Sequence, residues 1–469
     1  MEKANEKQTE VKQNSPYNVS IPSLSMIGSI LWYKLSQIGS KIDIWHIFFF
    51  NLAMRLFVVS MPSDSGMIFD EVHYIKSSRD IILGIAANAE HPPLVKLIVG
   101  FFMSTFGDYW FSWRIPIILF SMWIPYILYR IVMKLSDGDK KKALFTAFIS
   151  LFDIILFIHG NIYMLEMPAL VLTLVSAMWL IENKYKSSAI AMGLACLCNE
   201  KAVFALAGMG LYQWWTMEKT TKFTPKITVG KTTKTLGVYL LICSIIGFGG
   251  LWVSDMIWQP SMNTSQTVSS NVVVYVDGAG NPVNTVTQTQ TIVSGDKITD
   301  PFTHLLFMFG YYTGLSNNIP QIAETWRPAW SWIGPWGPNW NHGPTYYGVS
   351  VSTGGKTYSP MLYIGQTPYT IWWMVIPIFL VGILKVRDKQ IKFAMSWILG
   401  TYTPWLIWDG IRQNIPFNHY FMFASIGCII GIPLFWERVL PKYKYQAMAI
   451  HLLATIVFFA MYFPIHLFR

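Results

Sequence analysis

Phe69-Asp70-Glu71-Val72-His73-Tyr74 follows a long apolar segment and precedes His91-Pro92-Pro93-Leu94-Val95-Lys96 by about twenty residues. Two adjacent carboxylates, Asp70 and Glu71, therefore stand where an apolar segment meets water. Only 13% of the chain is charged, so acidic residues at such a boundary are informative. The pattern favours chemistry at a membrane surface; the alternative for the acidic pair is the end of a solvated loop.

Composition indicates a multi-span membrane protein. Of the 469 residues, 53% are hydrophobic and 16% are aromatic, which is more apolar surface than a soluble domain of this size can bury. Lys and Arg total 35 against 25 Asp and Glu, an excess that in a membrane protein reflects positive cytoplasmic loops. Nucleic-acid binding is therefore not expected. The four cysteines lie within apolar segments, which predicts buried thiols without a disulfide framework.

Hydropathy predicts an α-helical polytopic membrane protein with about eleven transmembrane helices, judged against the ~20 residues that a helix needs to cross the hydrocarbon. The segments are 44–59, 115–133, 143–158, 167–181, 189–197, 203–215, 236–252, 371–384, 393–408, 420–436 and 450–468. The predicted organisation is a cytoplasmic segment 1–43 with a disordered start, an N-terminal membrane module 44–252, a long external loop 253–370 and a C-terminal membrane module 371–469.

Lys and Arg clusters predict the topology, because they fall in alternate connections, at 134–142, 184–186, 219–234, 385–389 and 438–444. The positive-inside rule places these connections and the N-terminus in the cytoplasm, and the C-terminus outside. The segment 94–106 is apolar but short and contains Lys96, which favours a helix lying along the membrane. The external loop 60–114 then has two juxtamembrane helices, the second starting after His91-Pro92-Pro93. This loop places five candidate residues on the extracytoplasmic or ER-lumenal side: Asp70, Glu71, His91, Lys96 and Arg114.

The same alternation places two further regions outside. Glu166 lies at an external connection, with a span-end carboxylate in the headgroup region as the alternative. In the long loop, the stretch 271–277 predicts a strand that enters a turn, and the Thr/Gln alternation after it predicts the return strand of a hairpin. Five tryptophans follow. They are interpreted either as an aromatic belt at the membrane interface or as rings that stack against a sugar. They are Trp326, Trp330, Trp332, Trp336 and Trp340.

These motifs, taken in order, resemble one family. Arg55, the stretch 69–74, His91-Pro92-Pro93-Leu94 and Trp113-Arg114 resemble the first half of the protein O-mannosyltransferases, which have the GT-C glycosyltransferase fold. The resemblance continues through Asp153, Leu165-Glu166, Gly193-Leu194, Lys201, Trp326-Arg327-Pro328, Gly365-Gln366-Thr367-Pro368 and Phe417-Asn418-His419-Tyr420. Because it covers nearly the whole chain from residue 44, it is more specific than any single motif.

The chain also departs from the family pattern. Asn161 stands where the family usually has Arg, and Glu166 where it usually has Asp, so the second external loop is expected to hold its ligand differently. Nothing in the long loop resembles the β-trefoil module of the eukaryotic enzymes. The choice of acceptor therefore does not follow from the resemblance.

The chemistry of a lipid-linked sugar indicates which side chains are needed. A polyprenyl phosphate is a good leaving group, so transfer requires a base for the attacking hydroxyl and cations for the phosphate. Asp70 is the predicted base, with Glu71 beside it as an orienting or acceptor-binding group. The predicted ligands of the donor phosphate are Arg114, Arg412, Lys96 and His91, with Arg114 first because a guanidinium is planar and permanently charged. The predicted substrate-binding residues are Glu166, His73, Tyr74, His419, Tyr420, Trp326 and Arg327.

The resemblance implies inverting transfer of mannose from a polyprenyl (dolichyl) phosphate to Ser or Thr of a protein, without a required metal or another cofactor. The expected partners are the lipid donor, the acceptor protein, membrane lipids and a second subunit in a homodimer or heterodimer. One alternative is a GT-C relative that glycosylates a lipid or a cell-envelope glycan. A transporter or flippase is the other, but it would place ionisable residues near the midplane and often have repeated halves. Here most charged candidates gather at one face.

Overall fold

The computed structural model describes residues 41–60, 67–84, 89–217, 225–258, 260, 268–276, 282–290, 297–314, 328–335, 345–347, 351–353, 356–358, 363–365, 367–384, 388–412 and 418–462. Internal contacts divide the chain into Met1–Asp43 and Ile44–Arg469, and the elements below belong to the second unit. Two of the predicted site residues, Trp326 and Arg327, lie outside the described residues, as does the side chain of Arg412.

Helices in the first half cover the predicted apolar segments, although two helices share the segment 115–133 and Asp153 breaks the segment 143–158. They are α1 (Ile44–Ser60), α2 (Glu71–Ile82), α3 (Leu94–Phe106), α4 (Trp110–Ser121), α5 (Ile124–Leu135), α6 (Lys140–Ile149), α7 (Ile154–His159), α8 (Glu166–Ile181), α9 (Tyr185–Cys198), α10 (Val203–Met217) and α11 (Pro225–Trp258). The two helices predicted for the first external loop are α2 and α3. The four cysteines are free, as the sequence predicts.

The second half adds α12 (Pro301–Gly314), α13 (Tyr369–Trp372), α14 (Val375–Leu384), α15 (Lys389–Arg412), α16 (Met422–Val439) and α17 (Lys444–Tyr462). α15 packs against both α10 and α16. The backbones of α10 and α15 approach closely at two glycines, because a Cβ on Gly400 would lie 2.5 Å from the Gly208 Cα. Small residues allow such contacts between membrane helices. Hydrophobic side chains from both halves form one continuous core.

Among the described residues, four helical stretches are long and apolar enough to cross a membrane. They are Trp110–Leu135, Lys234–Trp258, His419–Val439 and Pro441–Tyr462. Shorter apolar helices cover other predicted segments, including Ile44–Val59, Glu166–Ile181 and Tyr185–Cys198. The count of about eleven spans stays a prediction, and so does the placement of α3 along the membrane.

The long connection contains a strand pair where the sequence predicts one. β1 (Val268–Val276) pairs antiparallel with β2 (Pro282–Gln290). The Ile298 amide donates to the Pro260 carbonyl at 2.7 Å, so the chain leaves and re-enters the helical unit at one point. Four short strands follow as two antiparallel pairs, β3 with β6 and β4 with β5. They are β3 (Thr345–Tyr347), β4 (Val351–Thr353), β5 (Lys356–Tyr358) and β6 (Tyr363–Gly365).

Two charged residues inside predicted spans find their partners within the helix bundle. Asp153 interrupts the segment 143–158 and accepts hydrogen bonds from two backbone amides at the start of α7 and from Trp372 Nε1 at 3.2 Å. Arg55 in α1 is buried and donates to Asn51 Oδ1 at 3.0 Å. Because buried polar groups are costly unless they are hydrogen-bonded, both contacts stabilise the bundle.

Charged side chains in or near the predicted cytoplasmic connections pair with one another. The pairs are Arg130–Glu182, Lys142–Glu437, Lys389–Asp137 and Arg438–Asp388. Connections predicted to be external meet instead in the cluster around Asp70 described below. Connections predicted to share a side of the membrane therefore meet in the structure, and the topology itself stays a prediction. Which of the two sets faces the cytoplasm still rests on the positive-inside rule.

Candidate active site

Asp70 lies at a strained turn directly before α2. Phe69 has φ of 55°, in the left-handed region that a residue with a Cβ seldom adopts. The turn is closed by a hydrogen bond from the Glu71 amide to the Ile68 carbonyl at 3.1 Å. Asp70 occupies the N-cap position and is partly exposed as a residue, but its side chain makes no capping hydrogen bond. Backbone strain of this kind is found mainly at functional sites, where surrounding contacts impose it.

The Asp70 carboxylate is surrounded by charges of both signs. Burial raises the pKa of Asp70 to about 6, which His73 opposes and Glu166 reinforces. His91 and Lys201 also lower this pKa. A carboxylate with such a pKa is a stronger base than an ordinary aspartate and is still ionised at neutral pH.

Glu166, the first residue of α8, pairs with Lys201 in the connection between α9 and α10. Lys201 Nζ lies 2.7 Å from Glu166 Oε1 and 4.2 Å from the centroid of the Tyr420 ring. Burial lowers the pKa of Lys201, but Glu166, Tyr420 and Glu200 together outweigh this and raise the pKa above its usual value. Glu166 Oε2 is buried without a hydrogen-bond partner among the described residues. The pair therefore offers Glu166 Oε2 as a hydrogen-bond acceptor beside the Lys201 ammonium, which stays protonated at neutral pH.

His91 joins the same cluster from the segment before α3. Its Nδ1 lies 3.4 Å from Glu200 Oε2, and its ring centroid lies 5.7 Å from that of Tyr74. The His91 carbonyl accepts a hydrogen bond from Lys96 Nζ at 2.8 Å. Lys96 is only 1% exposed, so its ammonium is held in this hydrogen bond and stabilises the segment around His91. The prediction that Lys96 binds the lipid phosphate is thereby corrected, while His91 is brought close to Asp70.

Glu71 and Arg114 form a buried ion pair, which also corrects the sequence-based roles. Arg114 Nε lies 2.9 Å from Glu71 Oε1, and Nη2 lies 2.7 Å from Oε2. The backbone amides of Ile68 and Tyr163 donate to the same carboxylate, at 2.8 and 2.7 Å. Both side chains are fully buried. Arg114 is therefore not accessible to a lipid phosphate, nor Glu71 to an acceptor, and the pair anchors the turn that carries Asp70.

Aromatic and imidazole rings surround Phe69. The His419 ring stacks on His159, with centroids 4.8 Å apart, and Phe69 packs edge-on against both rings at 5.6 and 6.5 Å. Tyr420 stacks on Trp405 with centroids 4.5 Å apart. The structure thus places His419 and Tyr420, both predicted to bind substrate, beside the Asp70 turn.

The remaining predicted substrate-binding residues differ in their exposure. His73 is exposed on α2, one turn after Asp70, whereas Tyr74 is buried. Of the tryptophans, Trp332 is fully buried against Tyr402 and Phe421, so it belongs to the core and to neither a membrane belt nor a sugar platform. Within the described ranges, no group of three or more His, Cys, Asp or Glu side chains is arranged to hold a metal ion.

The sequence-based site omitted two residues that the structure brings to it, Glu200 and His159. A signal for Glu200 was present: Asn199-Glu200-Lys201 interrupts two apolar segments at a connection that the alternation of loops places outside. His159 gave no such signal, because it ends an apolar helix and meets His419 only through the fold.

Residues 90–246 match the family model described as dolichyl-phosphate-mannose-protein mannosyltransferase. The predicted resemblance is confirmed. Four residues of the candidate site lie within the matched range: His91, Arg114, Glu166 and Lys201. Asp70 precedes this range. No curated protein matches the chain.

A solved structure with a similar fold is ArnT from Cupriavidus metallidurans bound to undecaprenyl phosphate, with 12% sequence identity and a TM-score of 0.51. The chain has the GT-C fold. The match covers 90% of this chain and 62% of ArnT, so the chain spans less than two thirds of that protein. The apo state of ArnT matches with 11% identity and a TM-score of 0.44, over 91% of this chain and 63% of ArnT. With this fold and its apolar helices, the chain is an integral membrane protein.

Proposed function

We propose that this protein is a glycosyltransferase that moves mannose from a polyprenyl phosphate to Ser or Thr hydroxyls of proteins at the external membrane face. The observation that carries the proposal is Asp70 at its strained turn, where burial raises the pKa of its carboxyl to about 6 and where the charges of Glu166 and Lys201 act on it. The family match supports mannose as the sugar. The undecaprenyl phosphate bound to ArnT supports a polyprenyl phosphate as the carrier.

In the proposed reaction, the acceptor hydroxyl oxygen forms a bond to C1 of mannose while the bond from C1 to the phosphate oxygen breaks. Asp70 takes the hydroxyl proton, and the lipid phosphate leaves with the electron pair. Attack from the opposite face converts a β-linked donor into an α-mannoside. A positioned general base of this kind contributes about 10²–10⁴-fold to the rate.

The departing phosphate needs positive charge, since its negative charge grows in the transition state. With Arg114 and Lys96 committed to buried contacts, we assign this role to His91 and Arg412, with the Lys201 charge close by. Glu166 Oε2 then serves as acceptor for a sugar hydroxyl, because it is a buried carboxylate oxygen without a described partner. His73, His419 and Tyr420 complete the proposed substrate contacts.

Purified protein in lipid vesicles, given radiolabelled polyprenyl-phosphate mannose and a Ser/Thr peptide, should label the peptide. A peptide with Ala in place of Ser and Thr is the control and should stay unlabelled. Label recovered instead in a lipid or glycan fraction would identify the GT-C alternative with a different acceptor. Movement of the donor across the vesicle without transfer would identify a flippase. Either result would replace the proposed activity.

The rate of transfer should rise with pH through about 6, because Asp70 must be ionised to accept the proton. Burial and the Glu166 charge raise this pKa above 3.8, the value of an unperturbed aspartate. Glu166→Gln removes the neighbouring negative charge, so the acid limb of kcat/KM should move to lower pH. A profile from about pH 4.5 to about pH 8 measures the shift. A limb that stays in place would show that another group controls it.

A further inference from the structure

His304 reaches the candidate site from the long connection. It lies one turn into α12, whose start is capped by the Asp300 carboxylate. His304 is 2% exposed, and its Nδ1 lies 2.7 Å from Asp255 Oδ1 near the end of α11. Its Nε2 lies 2.8 Å from the Ala89 carbonyl oxygen. One imidazole thus links α11 and α12 to the segment that leads to His91.

Hydrogen-bond chemistry fixes the role of each ring nitrogen of His304. The Ala89 carbonyl can only accept, so Nε2 carries a proton and donates it. On the other side of the ring, Nδ1 and the Asp255 carboxyl share one short hydrogen bond of 2.7 Å. Asp255 Oδ2 is buried without a described hydrogen-bond partner, which makes the carboxylate depend on its contact with His304. The acid therefore holds the imidazole in one orientation, with its donor directed at Ala89.

α12 contacts the same segment a second time. Tyr311 lies seven residues after His304, on the same face of the helix, and its ring centroid is 6.5 Å from that of His91. The other face of α12 is apolar and exposed, with Phe302 at 67% and Phe309 at 59%. The polar and aromatic face of α12 therefore packs on the site, and its apolar face is available to membrane lipid.

The segment Ala89-Glu90-His91 is held from two sides. Lys96 Nζ donates to the His91 carbonyl, and His304 Nε2 donates to the Ala89 carbonyl. We propose that His304, oriented by Asp255, is a positioning residue that fixes this segment so that His91 faces Glu200 and the donor phosphate. The expected effect of His304 on donor kinetics rests on the proposed function, whereas its hydrogen bond to the Ala89 carbonyl does not.

Two amide substitutions separate the two hydrogen bonds of His304. The Gln side-chain nitrogen reaches the place of Nε2, so His304→Gln keeps the donor to Ala89. The shorter side chain of His304→Asn keeps a nitrogen near the place of Nδ1, where it can bond to Asp255, but it loses the hydrogen bond to the Ala89 carbonyl. We expect His304→Asn to raise the KM for polyprenyl-phosphate mannose about tenfold without changing the KM for the peptide, and His304→Gln to restore most of this.

His451 in α17 offers a matched control, because its Nε2 lies 2.8 Å from the Thr370 carbonyl oxygen and its ring contacts Trp436, which is not assigned to the site. His451→Asn should leave the donor KM unchanged. Hydrogen exchange by mass spectrometry supplies a readout that needs no turnover. The amides of segment 89–91 should exchange faster in His304→Asn than in His304→Gln or the wild type.

Equal donor KM values in the two His304 variants, or a parallel rise in the KM of both substrates, would overturn the positioning role. Unchanged exchange at segment 89–91 in His304→Asn would overturn it as well. If the wild type transfers no mannose and the exchange rates still differ as expected, the proposed function fails and the positioning role stands.

Discussion

Asp70→Asn should abolish the proposed mannosyl transfer while the protein stays folded. The amide keeps the shape of the side chain at the turn after Phe69, but it cannot accept the hydroxyl proton. Loss of a general base lowers a rate by about 10²–10⁴-fold. Initial rates at saturating donor measure the loss, and binding of polyprenyl phosphate should persist because Asp70 does not contact the phosphate in the proposed reaction.

Asp80→Asn is the control for this variant. Asp80 lies on the same helix, α2, and pairs at 2.8 Å with Lys76, whose side chain is half exposed. A surface pair of this kind contributes at most about 1 kcal/mol, so Asp80→Asn should transfer mannose at close to the wild-type rate. Wild-type turnover by Asp70→Asn would show that the base is another group.

Arg114→Ala should prevent stable folding. The Glu71 carboxylate accepts two hydrogen bonds from Arg114 and two from backbone amides, and the whole arrangement is buried. Removing one partner of a buried ion pair costs about 3–5 kcal/mol, because the other charge is left without compensation. The midpoint of thermal unfolding in detergent and the yield of folded protein should both fall. Arg114→Lys should recover part of the loss, since an ammonium cannot reproduce the two-pronged contact.

A second arginine in the same loop provides the comparison. Arg79 makes a similar contact with Asp108, at 2.7 and 3.2 Å, but its side chain is 39% exposed. Arg79→Ala should therefore change the unfolding free energy by less than about 1 kcal/mol. If Arg114→Ala unfolds like the wild type and only the KM for the donor rises, Arg114 binds the phosphate as the sequence predicts.

The sequence by itself predicted the membrane class, the positions of most helices, the two helices between residues 60 and 114 and the strand pair of the long connection, but not α12. These properties follow from residues that are close together in the chain, such as apolar runs, a proline before α3 or alternation along β1. The Lys and Arg bias also predicted which connections share an end of the bundle. His91, Glu166 and His419 could thus be expected near Asp70, because their segments end on the same side.

Only the tertiary structure decided which of these charges is available for chemistry. The sequence cannot distinguish a phosphate ligand such as the one predicted at Arg114 from a buried structural cation. That difference depends on desolvation and on partners far away in the chain. Arg114 finds Glu71 43 positions away, Lys201 finds Glu166 35 positions away, and His304 finds Ala89 215 positions away. Burial makes an unpaired charge costly, so packing assigns each of these cations its partner, while Asp70 makes no capping hydrogen bond at the turn before α2.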